Sequence, residues 1–272
     1  SILATISFAG SNIIDKYIIV KWFKNPITPI ISTGIIGLLA SIFIYLVYGY
    51  SRISTLNITL AIVSGVLSMS VIFFYLKAIK IEEVSRVVAL FYISPLFTLI
   101  LAAIFLHERL KPLNYVGIVL LVIGAILMST RSIRDIKIVK GFWYMILGTF
   151  FLAVMGILQK YVLSYSDVKT VFAYSRIGGF IFTMPIILLY TKDFINVIKT
   201  YGSKVIAADL ATESFNMSGG ILIIAAYAVG SVTLVNAISS IQPFFVLLFT
   251  VIITFFLTKH LEEDIQKGII FH

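Results

Sequence analysis

The feature that most constrains this chain is a near-unbroken succession of apolar windows, each about as long as a helix that crosses a hydrocarbon core, roughly 20 residues. They fall at about 1–20, 28–49, 56–79, 84–106, 113–130, 141–163, 168–190, 205–231 and 235–258. In lipid a backbone amide finds partners only within the protein, so each window is expected to be a helix. Barrel strands would alternate polar and apolar residues over about ten positions, and these runs do not alternate. Only 12% of the 272 residues are charged and 60% are hydrophobic, against about 25% charged in an ordinary soluble domain. The fold class expected is therefore an all-α membrane protein.

The joints between windows are short: KNPITP at 24–29, HERLKP at 107–112 and TRSIRDIKIVK at 130–140. Little mass is left outside the membrane to house a soluble active site. The longest joint, 191 to about 204, is mildly amphipathic and is expected to lie along the interface as a short helix. A net charge of +9 would suggest nucleic acid in a soluble protein. Here the Lys and Arg sit in the gaps between windows, where they orient helices against the bilayer, so no nucleic-acid partner is expected. Cysteine is absent, which removes disulfides, thiolate metal sites and a Cys nucleophile.

The windows repeat a plan. DKY at 15–17 returns as QKY at 159–161, SMS at 68–70 as NMS at 216–218, and Ala78, Ala89 and Pro95 as Ala226, Ala237 and Pro243. The offsets are 144 and then 148 residues, so the second half follows the first helix by helix. This gives a first five-helix repeat at 1–130, a connecting loop at 131–140, and a second repeat at 141–272. A tenth window starts at Ile265 and reaches only His272, so the second repeat is expected to be truncated before its last helix. Five is odd, so the second copy enters the membrane from the opposite side. The result is a ten-helix inverted repeat (5+5), a plan common among secondary transporters.

The run YLKAIKIEEVSRVVALFYISPLFTLILAAIFLHERLKPLNYVGIVLLVIGAILM, with AYAVGSVTLVNAISSIQPFFVLLFTVII later in the chain, resembles the EamA-like branch of the drug/metabolite transporter superfamily. The pattern is an Ala ending the third helix, small and polar residues in a tight turn, a mid-helix Pro, a Glu-Arg pair and a Gly-rich fifth helix. The departures are the missing tenth helix and Phe256, where a strict offset from Glu108 would place a Glu. The resemblance implies a transporter with a central cavity between the halves, moving a small organic metabolite, an amino acid or related compound, by alternating access. It also implies a multi-pass protein of the plasma membrane. The alternative within transport is a broad multidrug exporter; from another class, an intramembrane enzyme or a receptor competes.

Charged groups at membrane depth cost roughly 2.5–3.5 kcal/mol on insertion scales and are functional candidates by default. Arg176 lies about eight residues into the seventh window and Glu213 about eight into the eighth. The windows run in opposite directions, so their depths nearly match and a hydrogen-bonded pair is expected if the faces meet. The pair reads either as an anion-holding Arg176 beside a proton-carrying Glu213, or as a fixed ion pair that only joins two helices. Asn12 and Asp15 share a helix face, as do Glu213 and Asn216, and Met155 and Gln159. Arg176, Asn12, Asn216, Tyr174, Tyr92, Gln242 and Ser94 are the candidate substrate-binding residues, Ser94 and Gln242 because each precedes a helix-kinking Pro. Glu213 and Asp15 are the candidate ion-coupling carboxylates, for proton coupling or substrate exchange. Lys77 and Arg86 either line the cavity mouth or snorkel to the headgroups. His107, His260 and His272 are scattered at loop ends, so no catalytic constellation, metal site or cofactor is expected.

Overall fold

The computed structural model describes residues 1–23, 25, 27–79, 81, 87, 90–129, 141–242, 244–246 and 248–255. Helices α1 (Ile2–Lys21), α2 (Ile30–Tyr48) and α3 (Thr55–Ile79) come first. A 3-10 turn at Leu90–Ile93 leads into α4 (Ser94–Phe105), followed by α5 (Pro112–Ser129). The second half contains α6 (Phe142–Leu163), α7 (Val168–Tyr201), α8 (Ser203–Val229) and α9 (Val232–Ser239). No strand occurs among the described residues.

Among the described residues, six stretches are long and apolar enough to cross a membrane: Ile2–Ile19, Ile30–Tyr48, Thr55–Ala78, Phe142–Leu163, Val168–Tyr201 and Val232–Phe255. Of the other expected windows, the fifth forms α5, while the fourth and eighth depart for identifiable reasons. In the fourth, Pro95 does not kink a long helix but occupies the first turn of the 12-residue α4, where its missing N–H is not needed. The eighth carries Lys204, Asp209 and Glu213 within α8. The stretch after Thr191, expected as a separate interfacial helix, is the last part of α7, which runs for 34 residues through Pro185. Gly202, at φ 61°, ends it. In the ninth window helix α9 stops at Ser239, a turn occupies Ser240 and Ile241, and helix resumes beyond. Pro243, the connecting loop 131–140 and the start of a tenth window at Ile265 lie outside the described residues.

Six helices build the core. α1 packs along α8, α3 along α6, and α2 along α7, while α3 also crosses α7. α4 packs on α6 and α9. The α3–α7 crossing is made of small residues: a Cβ added to Gly65 would lie 2.7 Å from the Ser175 carbonyl carbon and 2.9 Å from the Gly179 nitrogen. Across the same crossing the Ser64 and Ser175 hydroxyls are 2.8 Å apart. Without hydrophobic attraction between helices in lipid, such close approach is what makes association favourable. Leu46, Leu113, Leu188 and Leu189 are exposed on the outside, the expected lipid face.

One end of the bundle is laced by polar contacts between joints. Ser51 Oγ donates to Asp167 Oδ2 at 2.7 Å, and the Ser51 amide donates to Thr170 Oγ1 at 3.0 Å. At the same end Glu108 accepts from Ser231 Oγ (2.6 Å), the Val232 amide (3.0 Å) and Thr233 Oγ1 (3.2 Å), holding the start of α9. His107, in the left-handed region at φ 53°, turns the chain into that position. The opposite end carries aromatic contacts instead, Trp22 with Tyr201 and Phe23 with Phe194.

Candidate functional site

Between the halves lies a cavity of about 110 Å³. Its polar lining is Thr33 from α2, Ser68 from α3, Gln159 from α6, Ser175 and Arg176 from α7, and Asn216 from α8; Phe8, Met69, Ile72 and Met155 are among its apolar walls. Ser68 and Asn216, matched across the two copies of the sequence plan, meet here, as do Met155 and Gln159 from one helix face. Gln159 is buried, and its Oε1 finds no partner among the described residues.

Arg176 is held by packing. Its guanidinium carbon lies 4.5 Å from the Phe172 ring centroid, a cation–π contact strengthened by desolvation. Gly220 leaves the space it occupies, since a Cβ there would strike Nη2, and a Cβ on Gly37 would lie 3.4 Å from Cδ. Its Nε has no hydrogen-bond partner.

The expected Arg176–Glu213 pair does not form: no ion pair or hydrogen bond joins them. The reason is register. Arg176 is fixed against Gly220, seven residues beyond Glu213 on α8, or about 10 Å along the helix. Glu213, only 3% exposed, turns toward α2, where its Oε1 accepts from Thr33 Oγ1 at 2.6 Å and its Oε2 has no partner. Asp15 is half-buried and accepts from Ser11 Oγ at 3.2 Å. Asp209, which the sequence reading passed over, has Oδ1 in hydrogen-bond contact with Ser32 Oγ at 2.9 Å. It stands four residues before Glu213 on the same face of α8, and that spacing was the available signal.

The other candidates lie elsewhere. Asn12 is exposed, away from the cavity lining. Tyr174 packs on Tyr50, with ring centroids 4.9 Å apart. Ser94 is buried at the start of α4 with Oγ unpartnered, and Gln242 is half-buried; neither lines the cavity. Lys77 places Nζ 4.5 Å from the Phe73 ring centroid near the end of α3, and does not line the cavity either. Arg86 and the Tyr92 side chain lie outside the described residues. Lys160 donates to the carbonyls of Tyr227 (2.5 Å) and Gly230 (3.0 Å), a cation at the C-terminal end of α8 where the helix dipole favours it. Tyr227 is buried and donates to Asn236 Oδ1 at 2.6 Å, while Asn236 Nδ2 donates to Thr98 Oγ1 at 2.9 Å, tying α8, α9 and α4. Among the described residues no group of three His, Asp or Glu could hold a metal ion.

A family model described as the EamA-like transporter family matches residues 1–130. An uncharacterized protein of Methanocaldococcus jannaschii is 38% identical over 112 residues, which is 40% of this chain and 80% of that protein. A protein of known crystal structure shares the fold with a TM-score of 0.67 at 15% identity, covering 93% of this chain and 86% of its own. The chain belongs to the EamA-like transporter family, within the drug/metabolite transporter superfamily of membrane transporters.

Proposed function

We propose that this protein is a secondary transporter of the plasma membrane that moves a small organic metabolite bearing an anionic group, an amino acid or related compound. It does so by alternating access through the central cavity, with Arg176 holding the anion. The observation that carries this reading is a guanidinium facing a cavity at membrane depth with no carboxylate among the described residues paired to it. An unpaired cation there is costly, and a substrate carboxylate offsets that cost with a charge-assisted hydrogen bond. Asn216, Gln159 and Ser68 supply neutral polar groups around it.

A 5+5 inverted repeat accounts for the helix pairing. Exchanging the halves turns the α1–α8 contact into the α3–α6 contact and leaves the α2–α7 contact as itself. The fourth and ninth windows are both interrupted just before their prolines, and paired interruptions point to a binding site at the repeat interface. At about 110 Å³ the cavity is smaller than the roughly 300–1,000 Å³ typical of ligand pockets, so binding requires helices to move. Glu213, bridged to the cavity by Thr33, is the coupling carboxylate in this reading, with substrate charge and proton occupancy linked across one cavity.

The test is uptake of a radiolabelled amino-acid mixture into liposomes holding the purified protein, with mass spectrometry of what crosses. Flux of unmodified compounds is expected, falling at least 30-fold in Arg176→Gln, as for loss of one partner of a buried charge contact at about 2–5 kcal/mol, with the melting temperature within a few degrees of wild type. Wild-type flux in Arg176→Gln refutes the assignment, and a changed mass favours an enzyme. Flux restricted to bulky apolar cations favours a multidrug exporter.

A further inference from the structure

At the start of α2, two adjacent hydroxyls meet more acceptors than they have protons. Ser32 Oγ lies 2.7 Å from the Pro29 carbonyl oxygen and 2.9 Å from Asp209 Oδ1. Thr33 Oγ1 lies 2.6 Å from Glu213 Oε1 and 3.4 Å from the same Pro29 oxygen. Each hydroxyl carries one proton, and an ionised carboxylate accepts only. If Asp209 were ionised, the Ser32 proton would have to choose, leaving one pair of oxygens in close contact with no hydrogen between them. A carboxylic proton on Asp209 removes the conflict: Asp209 donates to Ser32 Oγ, and Ser32 donates to Pro29. A second observation is independent of this count. Glu213 is 3% exposed and its Oε2 has no partner, a position that an ionised oxygen does not occupy cheaply.

Among the described residues the charged neighbours add no compensating cation at contact distance. From α1 comes Asp15, another carboxylate, and from α7 comes Arg176, which acts on Glu213 only from beyond ion-pair distance. From α2 come only Ser32 and Thr33, and the Lys16 side chain is outside the described residues. Asp209 is half-buried and Glu213 sealed, with Asp209 one turn nearer the end of α8 that starts at Ser203. We propose that Asp209 is a second proton site in series with Glu213, the two stacked one turn apart on α8 and each presented through a hydroxyl of the first turn of α2. Asp209 exchanges protons with the aqueous side and Glu213 keeps one beside the cavity. The use of these protons to drive transport rests on the transporter reading above, whereas their presence does not.

Infrared spectroscopy of the protein in liposomes at neutral pH tests the site without any substrate. The probe is the proton itself, through the carbonyl stretch of protonated carboxyl groups and its shift on exchange into heavy water. Wild type is expected to show two such components, one lost in Asp209→Asn and the other in Glu213→Gln. Ser32→Ala is expected to keep the Asp209 component but move it to higher frequency, since its acceptor is gone. An Asp209→Asn spectrum identical to wild type overturns the proposal. Should that variant not fold, an unshifted band in Ser32→Ala overturns it equally. In the liposome assay with an imposed pH gradient and the radiolabelled amino-acid mixture, the ratio of gradient-driven to exchange flux is expected to fall at least tenfold in Asp209→Asn, and an unchanged ratio overturns the coupling role. Absence of any flux in wild type would refute the transporter reading while the infrared result still decides the proton site.

Discussion

Gly65→Ala is the sharpest perturbation the fold offers, because the added methyl has nowhere to go except into backbone. Its Cβ would sit 2.7 Å from the Ser175 carbonyl carbon and 2.9 Å from the Gly179 nitrogen, where ordinary contact begins at 3.4 Å. Neither neighbour can rotate away, and the Ser175 carbonyl oxygen stands closer still, so α3 and α7 must separate by more than about 0.7 Å, a strain of at least about 1–3 kcal/mol for overpacking. The same separation stretches the 2.8 Å Ser64–Ser175 hydrogen bond to the edge of bonding distance, adding about 0.6 kcal/mol as such bonds average in membrane proteins. The expected loss is at least about 2–4 kcal/mol, read as a lowered melting temperature in detergent with the fluorescence of a buried reporter. Gly117→Ala is the internal control. A Cβ there meets nothing within 4 Å, so the substitution is expected to raise stability by about 0.5–1 kcal/mol through helix propensity alone. If Gly65→Ala melts with Gly117→Ala rather than well below it, the α3–α7 crossing is not packed as described.

Two further expectations follow from the laced end of the bundle. Glu108→Ala removes three hydrogen bonds from the start of α9 and is expected to cost about 1–3 kcal/mol, with Glu108→Gln intermediate; equal melting of all three proteins would contradict it. Asp167 is pushed up by partial burial, but the bonds from Ser51 and Thr170, with Lys169 nearby, outweigh that and hold its carboxyl below the ordinary 3.8. Its folded value is thus the lower one, so its contribution is fully present above about pH 4 and fades as pH falls through the folded value. Asp167→Asn should therefore flatten the acid limb of a melting-temperature profile while leaving its shape above pH 5 unchanged, and an unaltered acid limb argues against the bonds.

Helices were legible because lipid leaves the backbone no alternative, and Ser68 and Asn216 were marked in the sequence only by the return of SMS at 68–70 as NMS at 216–218. Arg176 announced itself by cost. What sequence spacing did not carry was rotation about the helix axis: Arg176 and Glu213 have similar depths, yet Gly220 draws the guanidinium two turns away. Asp209 was hidden for a related reason, since its meaning depends on Ser32 from a helix 177 residues distant in the chain. Hydropathy likewise marked 191–204 as a break, although charged residues such as Lys192 and Asp193 are accommodated within a helix of 34 residues, longer than a hydrocarbon core requires. Pro95 looked like a kink because the length of its window was read as one helix, whereas a 3-10 turn precedes it.

The 34 residues of α7 span about 51 Å at 1.5 Å per residue, far more than a hydrocarbon core of about 30 Å. The tight crossing with α3 lies at Gly178, about a third of the way along, and Arg176 is two residues away from it. From that crossing to Tyr201 the helix extends about 35 Å. A tilt of about 10° around Gly178 would carry Tyr201 through about 6 Å while moving the Arg176 backbone by only about half an ångström. α7 thereby carries Arg176 close to the pivot of any tilt about Gly178: the far end can travel several ångströms while the guanidinium stays in register with Gly220 of α8.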